Sequence, residues 1–268
     1  MTLFYLFIVA VIQGLTEFLP VSSSAHLILL PALTGAADQG LAIDVAVHVG
    51  TLFAVVIYFW RDVAMAAKGT LRLAVGKIDT AGAFLALCLM IATVPVIIVG
   101  LILKLSGLDE MLRSITVIGW TMIIFGIVLY WADSTGTTEK TSTDWSVKDA
   151  ILMGLSQALA LIPGTSRSGI TITCARKLGY GREDAARLSM LMSIPTILAS
   201  GVLLGADVIA EADWTVARNG LIAALFAFAA ALAALTLMMR LLRSVSFTPY
   251  VIYRIILGVI LLGIAYGA

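Results

Sequence analysis

Charge is what this sequence has least of. Lysine, arginine, aspartate and glutamate make up 12% of the 268 residues, about half the share usual in soluble domains. That excludes an ordinary water-soluble globule. The same sequence is 61% hydrophobic, with a mean hydropathy of +1.06, so the bilayer is its solvent. A net charge of +1 gives nucleic acid nothing to hold and leaves no polybasic surface anchor. No lysine or arginine precedes Arg61, so the apolar start Leu3 to Ile12 lacks the basic leader of a cleavable signal peptide. The two cysteines, Cys88 and Cys174, sit in or beside apolar stretches without metal-ligand spacing, and read as small buried residues. No Walker-type glycine loop occurs, which leaves ATP without a binding element.

What is present is a set of long apolar runs. Six read as full spans, at about 42–60, 82–103, 115–131, 187–205, 219–240 and 250–267. Two more apolar segments, about 3–31 and 150–178, are interrupted by Pro20 and by Pro163-Gly164. Proline removes a helix donor and clashes with the preceding turn, and broken backbone at membrane depth belongs where it lines a cavity. Both segments are therefore expected to be re-entrant helix-loop-helix hairpins. The fold class is an all-α polytopic membrane protein, a single integral membrane domain over residues 1–268.

The two interrupted segments resemble each other. Gly14-Leu15-Thr16-Glu17-Phe18-Leu19 parallels Gly154-Leu155-Ser156-Gln157-Ala158-Leu159, and Pro20-Val21-Ser22-Ser23 parallels Pro163-Gly164-Thr165-Ser166 with three extra residues in the second copy. Gly50-Thr51-Leu52 and Pro195-Thr196-Ile197 continue the match. The offset is 140 at Gly14/Gly154, 143 at Pro20/Pro163 and 145 at Gly50/Pro195. Repeat one covers about 1–131 and repeat two about 148–268. One hairpin and three spans per half invert the second copy relative to the first. The charges agree with inversion. Arg61, Lys68, Arg72 and Lys77, then Arg176, Lys177, Arg182 and Arg187, then Arg240 and Arg243, mark inside loops. Asp38 and Asp44, and the stretch Asp207, Glu211 and Asp213 with Arg218, mark outside ones. Both termini are then expected outside.

Polar chemistry gathers in the two interruptions. In the first, Gln13 and Glu17 stand at i and i+4 on one helix face, followed by Ser22, Ser23, Ser24 and His26. An amide and a carboxylate can share a divalent cation or steer a proton. The serines offer hydroxyls and a helix cap, and the imidazole moves protons near neutral pH. In the second, Arg167 supplies a planar fork for phosphate oxygens, and Thr165, Ser166, Ser168 and Thr171 supply hydroxyls. Gly164 and Gly169 let the backbone approach a ligand. His48 has no acid within a turn except Asp44 and reads as structural. Physics alone yields a membrane-embedded anion site, suited to phosphoanhydride hydrolysis or to carrying an anionic lipid.

The segments Gln13 to His26 and Pro163 to Thr171 resemble the two signatures of the bacitracin-resistance family of undecaprenyl-diphosphate phosphatases. The resemblance extends through Gly50-Thr51-Leu52 and Phe59-Trp60-Arg61-Asp62. It implies a multi-pass enzyme of the bacterial cytoplasmic (inner) membrane. That enzyme converts undecaprenyl diphosphate to undecaprenyl phosphate and inorganic phosphate, and so recycles the lipid carrier of cell-wall synthesis. It implies an active site opening to the outer side and dependence on Mg²⁺ or Ca²⁺. The acidic motif falls on Gln13 and Glu17, with Gln13 where the family has Glu or Gln. Both readings together assign catalysis to Glu17, Ser23, His26 and Arg167, with Glu17 also the expected metal ligand. Gln13, Ser22, Gly164, Thr165, Ser166, Ser168 and Thr171 are expected to bind substrate. Ser23 or Ser22 is the expected nucleophile, water the open alternative, with His26 passing the proton. The expected partners are a polyprenyl diphosphate and membrane lipids, with a homodimer left open. The competing function is a flippase or transporter of undecaprenyl phosphate or a related anionic lipid.

Overall fold

Each proline-broken segment is two helices joined by a short loop. The computed structural model describes residues 2–35, 39–108, 112–211 and 214–267. Asp38 and Asp213, two of the expected outside markers, lie outside the described residues. In the first segment α1 (Leu3–Phe18) stops before Pro20 and α2 (Ser23–Thr34) starts after it. α3 (Leu41–Tyr58), α4 (Trp60–Ala74), α5 (Ala81–Ser106) and α6 (Ile115–Thr135) follow. The second segment is α7 (Val147–Ala158) and α8 (Arg167–Lys177), then come α9 (Arg182–Glu211), α10 (Trp214–Leu241) and α11 (Thr248–Gly267). The three extra residues of the second copy, Ala160, Leu161 and Ile162, lie in and just after a single 3₁₀ turn, Leu159–Leu161, that closes α7. Among the described residues six helices are long and apolar enough to cross a membrane: α3, α5, α6, α9, α10 and α11. These are the six expected spans. No strand is present among the described residues.

The stretch after the first span, expected as a loop, is helical. α4 carries Arg61, Lys68 and Arg72 among apolar residues, and it docks on α5 where Gly69 meets Gly82 with no room for a Cβ on either. Backbone contact of this kind is how small residues join helices in lipid.

Packing crosses between the halves of the chain. α1 lies on α10, where a Cβ on Gly14 would come within 2.6 Å of the Ala227 carbonyl oxygen. α7 lies on α5, where a Cβ on Gly154 would come within 2.6 Å of the Ala92 carbonyl oxygen. α3 also packs on α10, and α6 on α11. The outer surface is apolar, with Ile98, Ile102, Ile127, Leu225, Val259 and Ile260 exposed, as lipid contact requires.

Ion pairs tie the basic ends together. Arg187 of α9 pairs with Asp62 of α4, and Arg243 after α10 pairs with Glu183. Asp133 at the end of α6 accepts from Arg176 at 3.0 Å and Arg182 at 2.8 Å. Tyr180 donates to Asp149 at 2.6 Å. Burial, then the neighbouring Asp149 carboxylate, pushes the Tyr180 phenol up, so it stays a donor. The basic stretches expected inside, after the first span, at 176–187 and at 240–243, are thus brought together at one end of the bundle.

Candidate active site

Both loops end on a serine held in a left-handed conformation. Ser22 and Ser166 each have φ of 71°, and no other non-glycine residue has positive φ among the described residues. Side-chain crowding makes this region costly for L-residues, about 1–3 kcal/mol where the surroundings enforce it. Each serine is the N-cap of the following half-helix. The side-chain cap expected of the first loop's serines is found in the second loop, where Ser166 Oγ accepts from the Gly169 N–H at 3.1 Å. Ser22 occupies the cap position without a side-chain cap, and its hydroxyl meets Ser24 at 3.2 Å.

This geometry aims the start of α8 at the end of α1. Arg167, the first residue of α8, donates through Nη2 to Glu17 Oε1 at 2.5 Å. The other carboxylate oxygen, Glu17 Oε2, accepts from Ser23 Oγ at 2.7 Å and from Gln13 Nε2 at 2.9 Å. The predicted i, i+4 pair is therefore a real contact, and Gln13, Glu17, Ser23 and Arg167 form one connected set. Ser168 closes the seam by donating to the Leu19 carbonyl at 2.9 Å. Thr171 meets Ser189 of α9 at 2.6 Å and sits one turn beyond the pair. Gly164 has φ of 88°, and a Cβ there would lie 2.1 Å from Thr121 Oγ1.

Two buried polar atoms of this set, Gln13 Oε1 and Arg167 Nη1, have no hydrogen-bond partner, and neither has Thr165 Oγ1 in the second loop. Leaving a buried group unpaired costs about 1–3 kcal/mol, and two on the side chains of one ion-paired cluster, with a third in the adjoining loop, are what a ligand-free polar site looks like. An acceptor, a hydroxyl and a guanidinium N–H suit a phosphate group and its counter-ion.

The two histidines fall differently from expectation. His26 is occupied elsewhere, with Nδ1 2.7 Å from the Ser22 carbonyl and Nε2 2.5 Å from the Tyr253 hydroxyl, the two rings stacked. No hydrogen bond joins it to Glu17 or Ser23 among the described residues. His48, read from sequence as structural, brings Nε2 to 3.8 Å from Glu17 Oε2.

Arg254 is a site residue that the sequence pattern does not single out. It is fully buried and donates to the carbonyls of Pro20 at 3.2 Å, Gly164 at 3.0 Å, Thr165 at 2.9 Å and Met122 at 3.2 Å. One guanidinium thus pins the first loop to the second. The rule that singled out Arg167, a charge at membrane depth, applies equally to Arg254 in the middle of the last span.

Fold and site together define a polytopic membrane protein whose polar centre is assembled from both halves of the chain. Residues 6–260 match the model of the bacitracin resistance protein BacA family, and the chain belongs to that family. It is 73% identical over 267 residues to the undecaprenyl-diphosphatase of Roseobacter denitrificans, and 73% over 267 residues to that of Dinoroseobacter shibae, each match covering 100% of both chains. The undecaprenyl-diphosphatase of Chromohalobacter salexigens is 47% identical over 254 residues, 94% of this chain and 95% of that protein.

Proposed function

We infer that this protein is an undecaprenyl-diphosphate phosphatase, which splits the terminal phosphoanhydride and returns the lipid monophosphate to cell-wall synthesis. Recycling of this carrier is the basis of the bacitracin resistance for which the family is named. The observation that carries the reading is the Glu17–Arg167 pair joining the two interrupted segments, with unpartnered buried atoms on Gln13 and Arg167 itself.

The roles follow from the contacts. Arg167, with Nη1 free of other duties, clamps the diphosphate and stabilises charge spread over the phosphoryl oxygens in flight. Thr165 Oγ1 adds a hydroxyl donor, and Ser166 and Ser168 hold the clamp's helix in place. Ser23, already hydrogen-bonded to Glu17 Oε2, is the nucleophile. Its Oγ attacks the terminal phosphorus, the bond from phosphorus to the bridging oxygen breaks, and the hydroxyl proton passes to Glu17. Water then attacks the phosphoserine, releasing phosphate and restoring the hydroxyl. His26, tied to Ser22 and Tyr253, orients the serine loop.

A divalent cation, Mg²⁺ or Ca²⁺, would be held by Glu17 with Gln13 Oε1, a buried acceptor that has no hydrogen-bond partner. Among the described residues no group of three or more His, Cys, Asp or Glu is placed to cage an ion. So few protein ligands would suit an ion that takes its remaining ligands from substrate phosphate and water, as Mg²⁺ commonly does. When bound, the ion neutralises charge on the transferring phosphate.

The broken segments are re-entrant hairpins and the halves an inverted repeat. The shared Ser22/Ser166 conformation and the exchanged packing of Gly14 on α10 and Gly154 on α5 support both. The ion-paired basic end faces the cytoplasm of the inner membrane by the positive-inside rule, and the site opens to the outer side.

The test is phosphate release from undecaprenyl diphosphate by the purified protein in detergent. Release that a chelator and Ser23→Ala each abolish is the expected result. A protein that moves the lipid monophosphate across vesicles but releases no phosphate would be a carrier.

A further inference from the structure

We propose that His48 is a ligand of the divalent cation, so that the ion sits between α1 and α3 on Glu17 Oε2, His48 Nε2 and Gln13 Oε1. The inference deepens the cation site proposed above and rests on that reading.

Three observations on separate atoms converge. First, His48 Nε2 lies 3.8 Å from Glu17 Oε2. That is too long for a hydrogen bond, but two ligands of one ion, each about 2.1 Å from it, stand roughly 3 to 4 Å apart. Second, His48 Nδ1 is 2.7 Å from the Asp44 carbonyl oxygen. A carbonyl only accepts, so Nδ1 carries a proton, and in the neutral imidazole the lone pair is then on Nε2, the nitrogen that faces Glu17. Metal-binding histidines are oriented in this manner, the remote nitrogen donating to a backbone carbonyl. Third, Gln13, in van der Waals reach of the same carboxylate through its amide, buries an acceptor oxygen that nothing satisfies. Its amide stands 2.9 Å from Glu17 Oε2, the spacing of neighbouring ligands. Oxygen and nitrogen of an amide exchange by a simple flip, which would turn the Gln13 acceptor to the ion.

The consequence is selectivity. Carboxylate and amide oxygens suit Mg²⁺ and Ca²⁺ alike, but an imidazole favours Mn²⁺ and its later neighbours over both. A site with His48 therefore binds Mn²⁺ more tightly than Ca²⁺. The other oxygen, Glu17 Oε1, stays with Arg167, so the carboxylate bridges the cation to the phosphate clamp.

The sequence contains two histidines, which makes the experiment decisive. Mn²⁺ is added to the tag-free purified protein with methylenediphosphonate, a diphosphate that cannot be hydrolysed, and the pulsed electron paramagnetic resonance spectrum is read for ¹⁴N coupling from a coordinated imidazole. The expected result is coupling in the wild type and in His26→Ala, and none in His48→Ala or His48→Gln. Both His48 variants should lose Mn²⁺ affinity by about tenfold or more while eluting as folded protein. Mn²⁺ bound without ¹⁴N coupling in the wild type overturns the assignment, as does coupling that survives in His48→Ala, or failure of Mn²⁺ to bind. The expected pattern in a protein that releases no phosphate from lipid diphosphate would keep the cation site and reject the phosphatase reading.

Discussion

Arg254 and Pro20 are joined across the two halves of the chain, the guanidinium of the last helix donating at 3.2 Å to a carbonyl in the first loop. The same side chain holds the Gly164 and Thr165 carbonyls of the second loop. The relation between Glu17 and Arg167 is therefore not left to their own ion pair. A buried cation that spends itself on backbone oxygens fixes the distance between the loops that carry them.

Replacing Arg254 with methionine should leave four buried carbonyls without their donor, each worth about 1–3 kcal/mol. A lower thermal midpoint in detergent is expected, with phosphate release down about 100-fold, since a small misplacement of a reacting group costs that much. Arg254→Lys keeps the charge but not the fork, and should recover little of the rate. Wild-type turnover in either variant would show that the loops hold their register without it.

Ser23→Ala should abolish phosphate release, whereas Ser24→Ala, at an exposed position, should leave most of it. Brief reaction followed by acid quench and mass spectrometry should find phosphate on Ser23 of the wild type. Turnover retained in Ser23→Ala would hand the attack to water.

Asp133 offers a control for stability without chemistry. It accepts from Arg176, Arg182 and the Phe247 N–H, and Arg176 is buried at 2% exposure. Removing a partner from a buried pair costs about 3–5 kcal/mol. Asp133→Ala should therefore lower the thermal midpoint, while the fraction that remains folded keeps the wild-type kcat/KM.

The helix seams can be tested with a single methyl group. A Cβ on Gly50 would come within 2.2 Å of the Ala224 carbonyl oxygen, while one on Gly201 meets nothing within 4 Å. Gly50→Ala should destabilise by about 1–3 kcal/mol through overpacking. Gly201→Ala should be neutral or stabilise slightly, because alanine loses less chain entropy in a helix. Equal thermal midpoints for the two variants would contradict the α3–α10 seam.

The contrast between Arg167 and Arg254 shows how far the sequence could be read. Run length and the position of proline are local properties, so the six spans and both breaks at Pro20 and Pro163 were legible. Arg167 stood out because hydroxyls and glycines surround it in the chain. Arg254 sits among apolar residues, its partners supplied by three other segments, and nothing nearby announces it. His48 was passed over for the same reason, since Glu17 belongs to another helix. α4 is not legible as a helix, because a basic stretch beyond a span fits an interfacial helix and a loop equally. Its docking face, Gly69, carries no side chain to mark it. Contacts within a turn can be inferred from spacing; contacts between helices appear only once the fold brings them together.

The central claim is that one site is assembled from Glu17 of the first loop region and Arg167 of the second. Its most direct test is a double-mutant cycle on phosphate release, comparing wild type, Glu17→Gln, Arg167→Ala and the double variant in the same detergent with saturating lipid diphosphate. Groups acting as a unit are strongly non-additive. Each single variant should lose about 100-fold or more, and the double should lose little beyond the worse single. Losses that multiply would mean that Glu17 and Arg167 act independently, and the shared site would be wrong.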